Sequence, residues 1–288
     1  MEKADKARRT AMDYQLLDAG DGRKLERFGR YTLARPCSQA MWRPTLPPEE
    51  WARAHASFDR EDGNRWHGRG NLPKEWEIET AGIKFKLGGT DFGHLGIFPE
   101  QRAQWQWIRE TVRAAPTPPK VLNLFAYSGG STMAAALGGA EVCHLDASKG
   151  MVEWARANAA LNNLAAHPIR WIVDDAHKFM RREIRRGRNY DAIILDPPSF
   201  GRGANGEMYK IERDLKDTLA LVKELLSPTP LFVLFSSHTP GLTQLVAENI
   251  FHQLFPGAKI ETGEMTLDGP TLRCPSGIYC RVVAESRK

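Results

Sequence analysis

From Val121 to Ser237 the chain alternates between short apolar runs and longer amphipathic stretches, and that alternation leaves few folds open. The apolar runs lie at about Val121 to Ala126, Glu141 to Asp146, Ile169 to Asp174, Tyr190 to Asp196 and Leu231 to Ser237. Strands covered on both faces read as continuous apolar runs, and strands separated by helices pair in parallel through right-handed crossovers. A doubly wound α/β sheet follows. Spacing predicts the helix faces: Met151, Trp154, Ala155 and Leu161 behind Ser148 as N-cap; Ile211, Leu215, Leu219 and Val222; and Leu242, Leu245, Val246 and Ile250 behind Thr239-Pro240. The tail from Ala258 to Ala284 reads as two more strands with a Gly/Pro-containing connection, an antiparallel hairpin closing one sheet edge.

Residues 1–95 have another texture and are expected to form a small α+β domain contributing to a substrate cleft, with 96–288 forming the larger domain. Six of the eight tryptophans precede residue 108. RKLERFGRYTLARP reads as β around Gly29. EWEIETAGIKFKL reads as a hairpin across Ala81-Gly82 with one apolar face. Between them, LPPEEWARAHASFDRE predicts a short helix begun at the prolines. Aliphatic residues are too few here for a generous core, so the tryptophans are expected to pack on the larger domain. The alternative is that some Trp and Arg side chains form a stacking and phosphate-contacting face for single-stranded RNA. Past the hairpin, Pro99 suits the first position of a helix that carries Trp105, Ile108 and Val112 on one face.

Composition excludes several classes. The hydrophobic share of 42% in 288 residues suffices for a real core, while a net charge of +5 and a pI near 9.0 lean toward an anionic partner. Cys37, Cys143, Cys274 and Cys280 have no C-x-x-C spacing, so neither a disulfide framework nor a metal site is expected. MEKADKARRT is charged, and no run approaches the ~18 apolar residues of a membrane span. A cytoplasmic protein is expected.

Chemistry concentrates where the strands end. After the first core strand comes a Gly-bearing turn, Tyr127 to Ser131, then a small-residue helix, and then Asp146 at the carboxyl end of the second strand. Glycines let backbone N–H groups approach a ligand at a helix N-terminus, and a carboxylate about 20 residues on can accept from ribose hydroxyls. Tyr127-Ser128-Gly129-Gly130 departs from G-x-G-x-x-G, which argues against a dinucleotide pyrophosphate and for a ligand with an amino-acid tail. At WIVDDAH either acid can accept from an adenine amino group or cap a helix; Asp175, where strand gives way to helix, is the one assigned to adenine. Asp196-Pro197-Pro198 stops a strand. It is also a rigid turn able to aim the Asp196 carboxylate and the Pro197 carbonyl at a planar substrate, with Phe200 on its face. RREIRRGR, Arg181 to Arg188, reads as a solvated basic face away from the cofactor end, with a phosphate contact as the alternative.

LNLFAYSGG, LDASKGMVEWARANAALNNL, DDAHKFM and ILDPPSF together resemble, in order and spacing, class I S-adenosylmethionine-dependent methyltransferases of the large-subunit ribosomal RNA type, over about residues 85 to 240. These include cytosine carbon-5 and guanine nitrogen-7 enzymes. The resemblance implies a Rossmann-like sheet, S-adenosylmethionine as cofactor and ribosomal RNA as substrate. It places Phe98, Gln101 and Arg102 of FPEQR over the methionine end, with Ala126, Tyr127 and Gly129 at the methionyl part. Asp146 and Ser148 go to the ribose side, and Asp175 and Ala176 to the adenine. Asp196, Pro197 and Phe200 are the catalytic set. Where the cytosine carbon-5 enzymes carry a Ser-Cys-Ser nucleophile after the fifth strand, this chain has Phe235-Ser236-Ser237-His238-Thr239, so a route without a covalent cysteine is expected. His238 reads as a loop histidine, or else as a base. A small-molecule or protein methyltransferase, a non-catalytic cofactor- and RNA-binding module, and an NAD-type oxidoreductase are the alternative functions.

Overall fold

Seven strands form the main sheet, and parallel pairing through crossover helices sets their order. The computed structural model describes residues 13–60, 63–203 and 206–283, so the charged stretch Met1 to Thr10 lies outside them. The chain divides into two compact units, Met1–Arg102 with Thr266–Ser276, and Ala103–Met265 with Gly277–Lys288.

In the first unit, β1 (Tyr14–Gly20), β2 (Arg23–Phe28), β3 (Tyr31–Pro36), β4 (Ala56–Asp59) and β5 (Arg65–His67) form a sheet in that order. Its pairs are antiparallel except β3 with β4. Strands β2 and β3 are the stretch expected around Gly29, whereas β1 has no counterpart among the sequence expectations. Helix α1 (Pro48–Ala52) begins at the prolines but ends after five residues. The Ala56–Asp59 stretch, expected to be helical, is a strand, because Ala56 and Phe58 alternate inward against Ser57 and Asp59. β6 (Trp76–Thr80) and β7 (Ile83–Leu87) form the hairpin foreseen across Ala81 and Gly82, whose φ values of 52° and 70° suit a two-residue turn that matches strand twist.

The indoles here are anchored within their own unit: Trp42 Nε1 donates to Ala19 O (2.7 Å), Trp51 Nε1 to Asp18 Oδ2 (3.1 Å) and Trp66 Nε1 to Thr90 O (2.7 Å). Cys37 and Cys274 are free thiols with sulfurs 3.1 Å apart, a meeting that sequence spacing could not reveal across 237 positions.

After a 3-10 turn at Pro99–Gln101 in the first unit, helix α2 (Arg102–Arg113) runs from the last residue of that segment into the second unit and buries Trp105, Ile108 and Val112, as its spacing predicts. Strands β8 (Lys120–Leu124), β9 (Glu141–Asp146), β10 (Ile169–Val173) and β11 (Ala192–Leu195) are followed by the short hairpin strands β12 (Phe200–Arg202) and β13 (Met208–Lys210). β14 (Phe232–Ser237), β15 (Lys259–Asp268) and β16 (Arg273–Val283) complete the set. The sheet order is β10-β9-β8-β11-β14-β16-β15, parallel from β10 to β14 and antiparallel at β14 with β16. The edge hairpin is as expected, although its far end groups with the first unit.

Helices α3 (Gly130–Gly138), α4 (Lys149–Leu161), α5 (Ala176–Arg185), α6 (Ile211–Leu225) and α7 (Gln244–Leu254) cross between the strands. The α6 face is the predicted one. Two other faces are rotated from expectation. α4 buries Val152, Ala155, Asn158 and Ala159, because the Asn158 amide turns inward to donate to Ser128 O (2.9 Å). α7 starts at Thr243, whose Oγ1 accepts from Val246 N–H (3.3 Å), rather than behind Thr239-Pro240. That start leaves Leu245 64% exposed and turns Ala247 and Phe251 inward, with the Phe251 ring 5.7 Å from that of Phe235.

RREIRRGR is not a plain solvated face. The Glu183 carboxylate is fully buried and meets Arg170 Nη1 (2.8 Å), Tyr190 Oη (2.8 Å), Arg186 Nη1 (3.1 Å) and Arg188 Nη1 (3.5 Å), while Arg182 pairs with Asp174. Burial alone would raise the Glu183 pKa, but hydrogen bonds from Arg170 and Tyr190 hold it below the usual carboxylate range.

Glu183→Gln should therefore cost about 2 kcal/mol in urea unfolding at pH 7, part of the penalty for an unmatched cation being screened where Arg170 is exposed. The depressed folded pKa means that this contribution is complete above the unfolded value of about 4.3 and is lost as pH falls through the lower folded value. The variant should accordingly show a flatter acid limb of stability than wild type. Among the thiols, the hydrogen bond from Cys274 brings Cys37 down to about 7, whereas burial pushes Cys143 up to about 11 and Cys280 to about 12. Peptide mapping after brief iodoacetamide treatment at pH 8 should find Cys37 alkylated ahead of both.

Candidate functional site

Strand register decides which residues meet at the rim of the parallel sheet. Leu195 lies opposite Leu124 and Phe235, Leu124 opposite Leu145, and Val173 opposite Asp146. Asp146 and Asp196 therefore stand at one level with β8 between them, two spacings or about 10 Å apart.

The turn after β8 is built from left-handed backbone, with φ of 54° at Phe125, 50° at Tyr127 and 89° at Gly129. Non-glycine residues hold that conformation at a cost of roughly 1 kcal/mol or more each, so the surroundings must impose it. They do so through hydrogen bonds. Ala126 N–H donates to Leu145 O (3.0 Å), Tyr127 N–H to Asp146 Oδ2 (2.9 Å) and Gly129 N–H to Ala126 O (3.0 Å). These donors are turned inward, contrary to the expectation that the turn offers them to a ligand. Helix geometry leaves the first-turn donors of α3, from Gly130 on, for that task. The glycines serve close packing: a Cβ on Gly129 would lie 2.8 Å from Met133 Cε, and one on Gly130 would lie 2.6 Å from Trp105 Cζ2.

Asp146 is half-buried, and its Oδ1 accepts from Ser148 N–H (2.9 Å). Burial raises its pKa, and the N–H bonds from Ser148 and Tyr127 oppose that rise. An ionised carboxylate has about four acceptor positions, so roughly two remain for ligand hydroxyls. Ser148 caps α4 as predicted, its Oγ accepting from Met151 N–H (3.4 Å). Asp175 caps α5 through Oδ1, which accepts from Lys178 N–H (2.8 Å); this is the capping alternative raised from sequence. Ala176 is buried as the first residue of that helix.

Beneath the turn lies a buried polar network. Asn123 Nδ2 donates to Thr132 Oγ1 (2.9 Å), which also meets His144 Nδ1 (2.9 Å). Burial lowers the His144 pKa to about 3, so the imidazole stays neutral at physiological pH.

Beyond the end of β11, Pro197 is buried and the Asp196 carboxylate lies 3.5 Å from His238 Nδ1. Phe200 opens the β12–β13 hairpin and is 50% exposed. The hairpin is held by Tyr209, whose ring is 5.2 Å from that of Phe125 and whose hydroxyl meets Thr218 Oγ1 (3.4 Å).

Phe98, Gln101 and Arg102 belong to the first unit. There the Phe98 ring lies 5.4 Å from that of His94, buried Gln101 donates its N–H to Phe98 O (3.1 Å), and the Arg102 guanidinium stands 5.2 Å over Tyr14. Phe98 also lines a cavity of about 110 Å³ with Lys24, Arg35, Arg60, Phe92 and His94.

Several residues that shape the site are not evident from sequence pattern. Asn123 and Asn158 carry a signal, as polar amides within apolar patterns. Tyr209 and Thr132 carry none, since what matters in them is the partner each meets.

Comparison with known proteins agrees with this geometry. A family profile described as S-adenosylmethionine-dependent methyltransferase matches residues 19–246. Ribosomal RNA large subunit methyltransferase K/L of Pseudoalteromonas translucida (strain TAC 125) is 32% identical over 166 residues, covering 57% of this chain and 22% of that protein. Ribosomal RNA large subunit methyltransferase I of Aeromonas salmonicida (strain A449) is 29% identical over 187 residues, covering 65% of this chain and 45% of that protein. The chain thus spans less than half the length of these curated relatives. Among solved structures, the SAM-dependent methyltransferase from Agrobacterium tumefaciens superposes with a TM-score of 0.89 at 38% identity, covering 94% of this chain and 90% of that one. SMU.776, solved with SAH, shares the fold at a TM-score of 0.74 and 19% identity, covering 98% of this chain and 78% of that one.

Thr132→Val keeps the side-chain shape but strands the Asn123 amide and the His144 ring. It should lower stability by about 1–3 kcal/mol in urea unfolding, the cost of buried groups left without a partner.

Proposed function

The chain belongs to the S-adenosylmethionine-dependent methyltransferase family, and from that premise we propose that its methyl acceptor is a base of large-subunit ribosomal RNA. When bound, S-adenosylmethionine supplies a methyl group on a sulfonium sulfur. The observation that carries the reading is the rim itself: Asp146 and Asp196 level on either side of β8, with half-exposed Phe200 beyond the Pro-Pro corner.

Asp146 accepts from ribose hydroxyls with the lone pairs that Tyr127 and Ser148 leave unused. Ala126, Tyr127 and Gly129 wall the methionyl part, while Ser148 borders the ribose, and Asp175 and Ala176 the adenine. Asp196 and the Pro197 carbonyl accept from N–H groups of the target base and hold its reacting atom in line with the methyl. Orientation of that kind is worth roughly 7–11 kcal/mol in favourable cases. Phe200 stacks on the base, which must be unpaired or flipped out to be reached. Ser236 and Ser237 are buried at the end of β14, where a nucleophilic thiol would be needed for cytosine carbon-5 chemistry, so the route requires no covalent cysteine.

The names of the curated relatives support ribosomal RNA as substrate, and the net charge of +5 supports an anionic partner. Among the described residues no helix is long and apolar enough to cross a membrane, which accords with a cytoplasmic site of action.

Mass spectrometry of nucleosides from ribosomal RNA of strains with and without the gene should reveal one methylated base missing in the deletion strain. Modification of metabolite extracts but not of that RNA would transfer the assignment to a small-molecule acceptor. By calorimetry Asp146→Ala should bind S-adenosylmethionine at least tenfold more weakly. Asp196→Ala should bind it normally and transfer methyl about 100-fold more slowly, as expected when an acceptor is misplaced.

A further inference from the structure

His238 is placed against Asp196 by more than one device. β11 and β14 are parallel neighbours with Leu195 opposite Phe235, so Asp196 is level with Ser236, and His238, two residues on, returns toward the carboxylate. Its Nδ1 lies 3.5 Å from Asp196 Oδ1, and the two side chains keep 31% and 29% of their surface exposed. The loops that carry them are tied together. Ser199 Oγ meets Thr239 Oγ1 at 2.8 Å, and Thr239 N–H donates to Ser237 Oγ at 3.2 Å. Gly277, at φ 120°, closes the other side, where a Cβ would fall 2.6 Å from Ser237 O and 3.3 Å from His238 Cδ2. A side chain at 277 would clash with Ser237 O and with Met265 Cε (2.9 Å) and would crowd the ring. Of the groups placed against the ring, Asp196 carries a carboxylate, whereas Gly277 and Ser237 carry no charge.

The chemistry explains why such a pair is useful. A carboxylate orients an N–H group well but is as a class a weaker base than an imidazole, which is the side chain best suited to taking up a proton near neutral pH. We propose that His238 is a positioning residue for methyl transfer: with Nδ1 unprotonated toward Asp196, its neutral imidazole receives through that carboxylate the proton that the acceptor sheds. The acceptor is then a nitrogen that bears hydrogen before transfer, such as an exocyclic amino group, and not a pyridine-type ring nitrogen. This deepens the ribosomal RNA reading and rests on it. In the step, the acceptor lone pair forms the N–C bond as the S–C bond breaks, and that electron pair stays on sulfur. The N–H proton passes by way of Asp196 to the imidazole, so the positive charge lost at sulfur reappears on His238.

The test uses the full chain, saturating S-adenosylmethionine and ribosomal RNA from a strain lacking the gene. Asn at position 238 keeps a polar amide near the place of Nδ1 but cannot take up a proton. His238→Asn is expected to lower kcat about 100-fold, in the usual range for general acid–base groups, with the Kd for S-adenosylmethionine within twofold of wild type. Wild-type kcat should fall at acidic pH as the imidazole protonates, and the variant should lack that limb. Mass spectrometry of the product nucleoside should place the methyl on a nitrogen that carried hydrogen. A variant kcat within twofold of wild type, an unchanged pH profile, or a methyl on carbon or on a pyridine-type nitrogen would overturn the inference and leave the ribosomal RNA reading standing. Failure of wild-type protein to methylate that RNA would remove both.

Discussion

A single residue, Asp146, fastens the ends of three strands. Its two carboxylate oxygens take the N–H groups of Tyr127 and Ser148, and its backbone carbonyl takes the N–H of Asp174, at 2.9, 2.9 and 3.2 Å. The turns after β8 and β9 and the end of β10 are thereby held in one arrangement. The left-handed backbone at Phe125 and Tyr127 persists because this fastening, with Asn158 beneath Ser128, leaves it no alternative. A half-buried carboxylate is costly to desolvate, and the same N–H groups that it positions oppose the rise in its pKa that burial causes.

Polar groups buried elsewhere in the second unit follow the same rule. Under the turn, Thr132 Oγ1 meets both Asn123 Nδ2 and His144 Nδ1 inside the sheet–helix interface, while the buried His144 Nε2 has no hydrogen-bond partner among the described residues. Beyond them, Glu183 gathers Arg170, Arg186, Arg188 and Tyr190 about a fully buried carboxylate. Each cluster would be expensive if one member were missing, so each ties helices to strands in a single register. A site whose groups must stay aligned across neighbouring strands needs such stiffness under it.

The corner after β11 is organised differently. Asp196 and His238 remain partly exposed, and Phe200 projects from a short hairpin pinned by Tyr209 against Phe125. One aromatic contact thus joins the turn after β8 to the β12–β13 hairpin. The turns around Asp146 are fixed by hydrogen bonding, while the corner at Asp196 stays partly exposed.

Much of this was legible in the chain because it depends on local pattern. Parallel strands need both faces apolar, helices need a stripe, and a strand ending in an acid and two prolines must stop there; these rules located the sheet, the edge hairpin, the Ser148 cap and the Asp196 corner. Where local pattern offered several apolar stripes, as in α4 and α7, the chosen one was set by long-range partners, Ser128 for Asn158 and Phe235 for Phe251. The short β4 escaped for the same reason, since pairing with β3 outweighed a local helix signal. By itself, then, the sequence determined which segments become strands and which side chains wait at their ends. Only the tertiary structure decided that Cys37 meets Cys274, that Glu183 is buried among arginines and that His238 faces Asp196. The physical reason is that hydrogen bonds and ion pairs act over a few ångströms, and separation along the chain does not specify which groups folding brings that close.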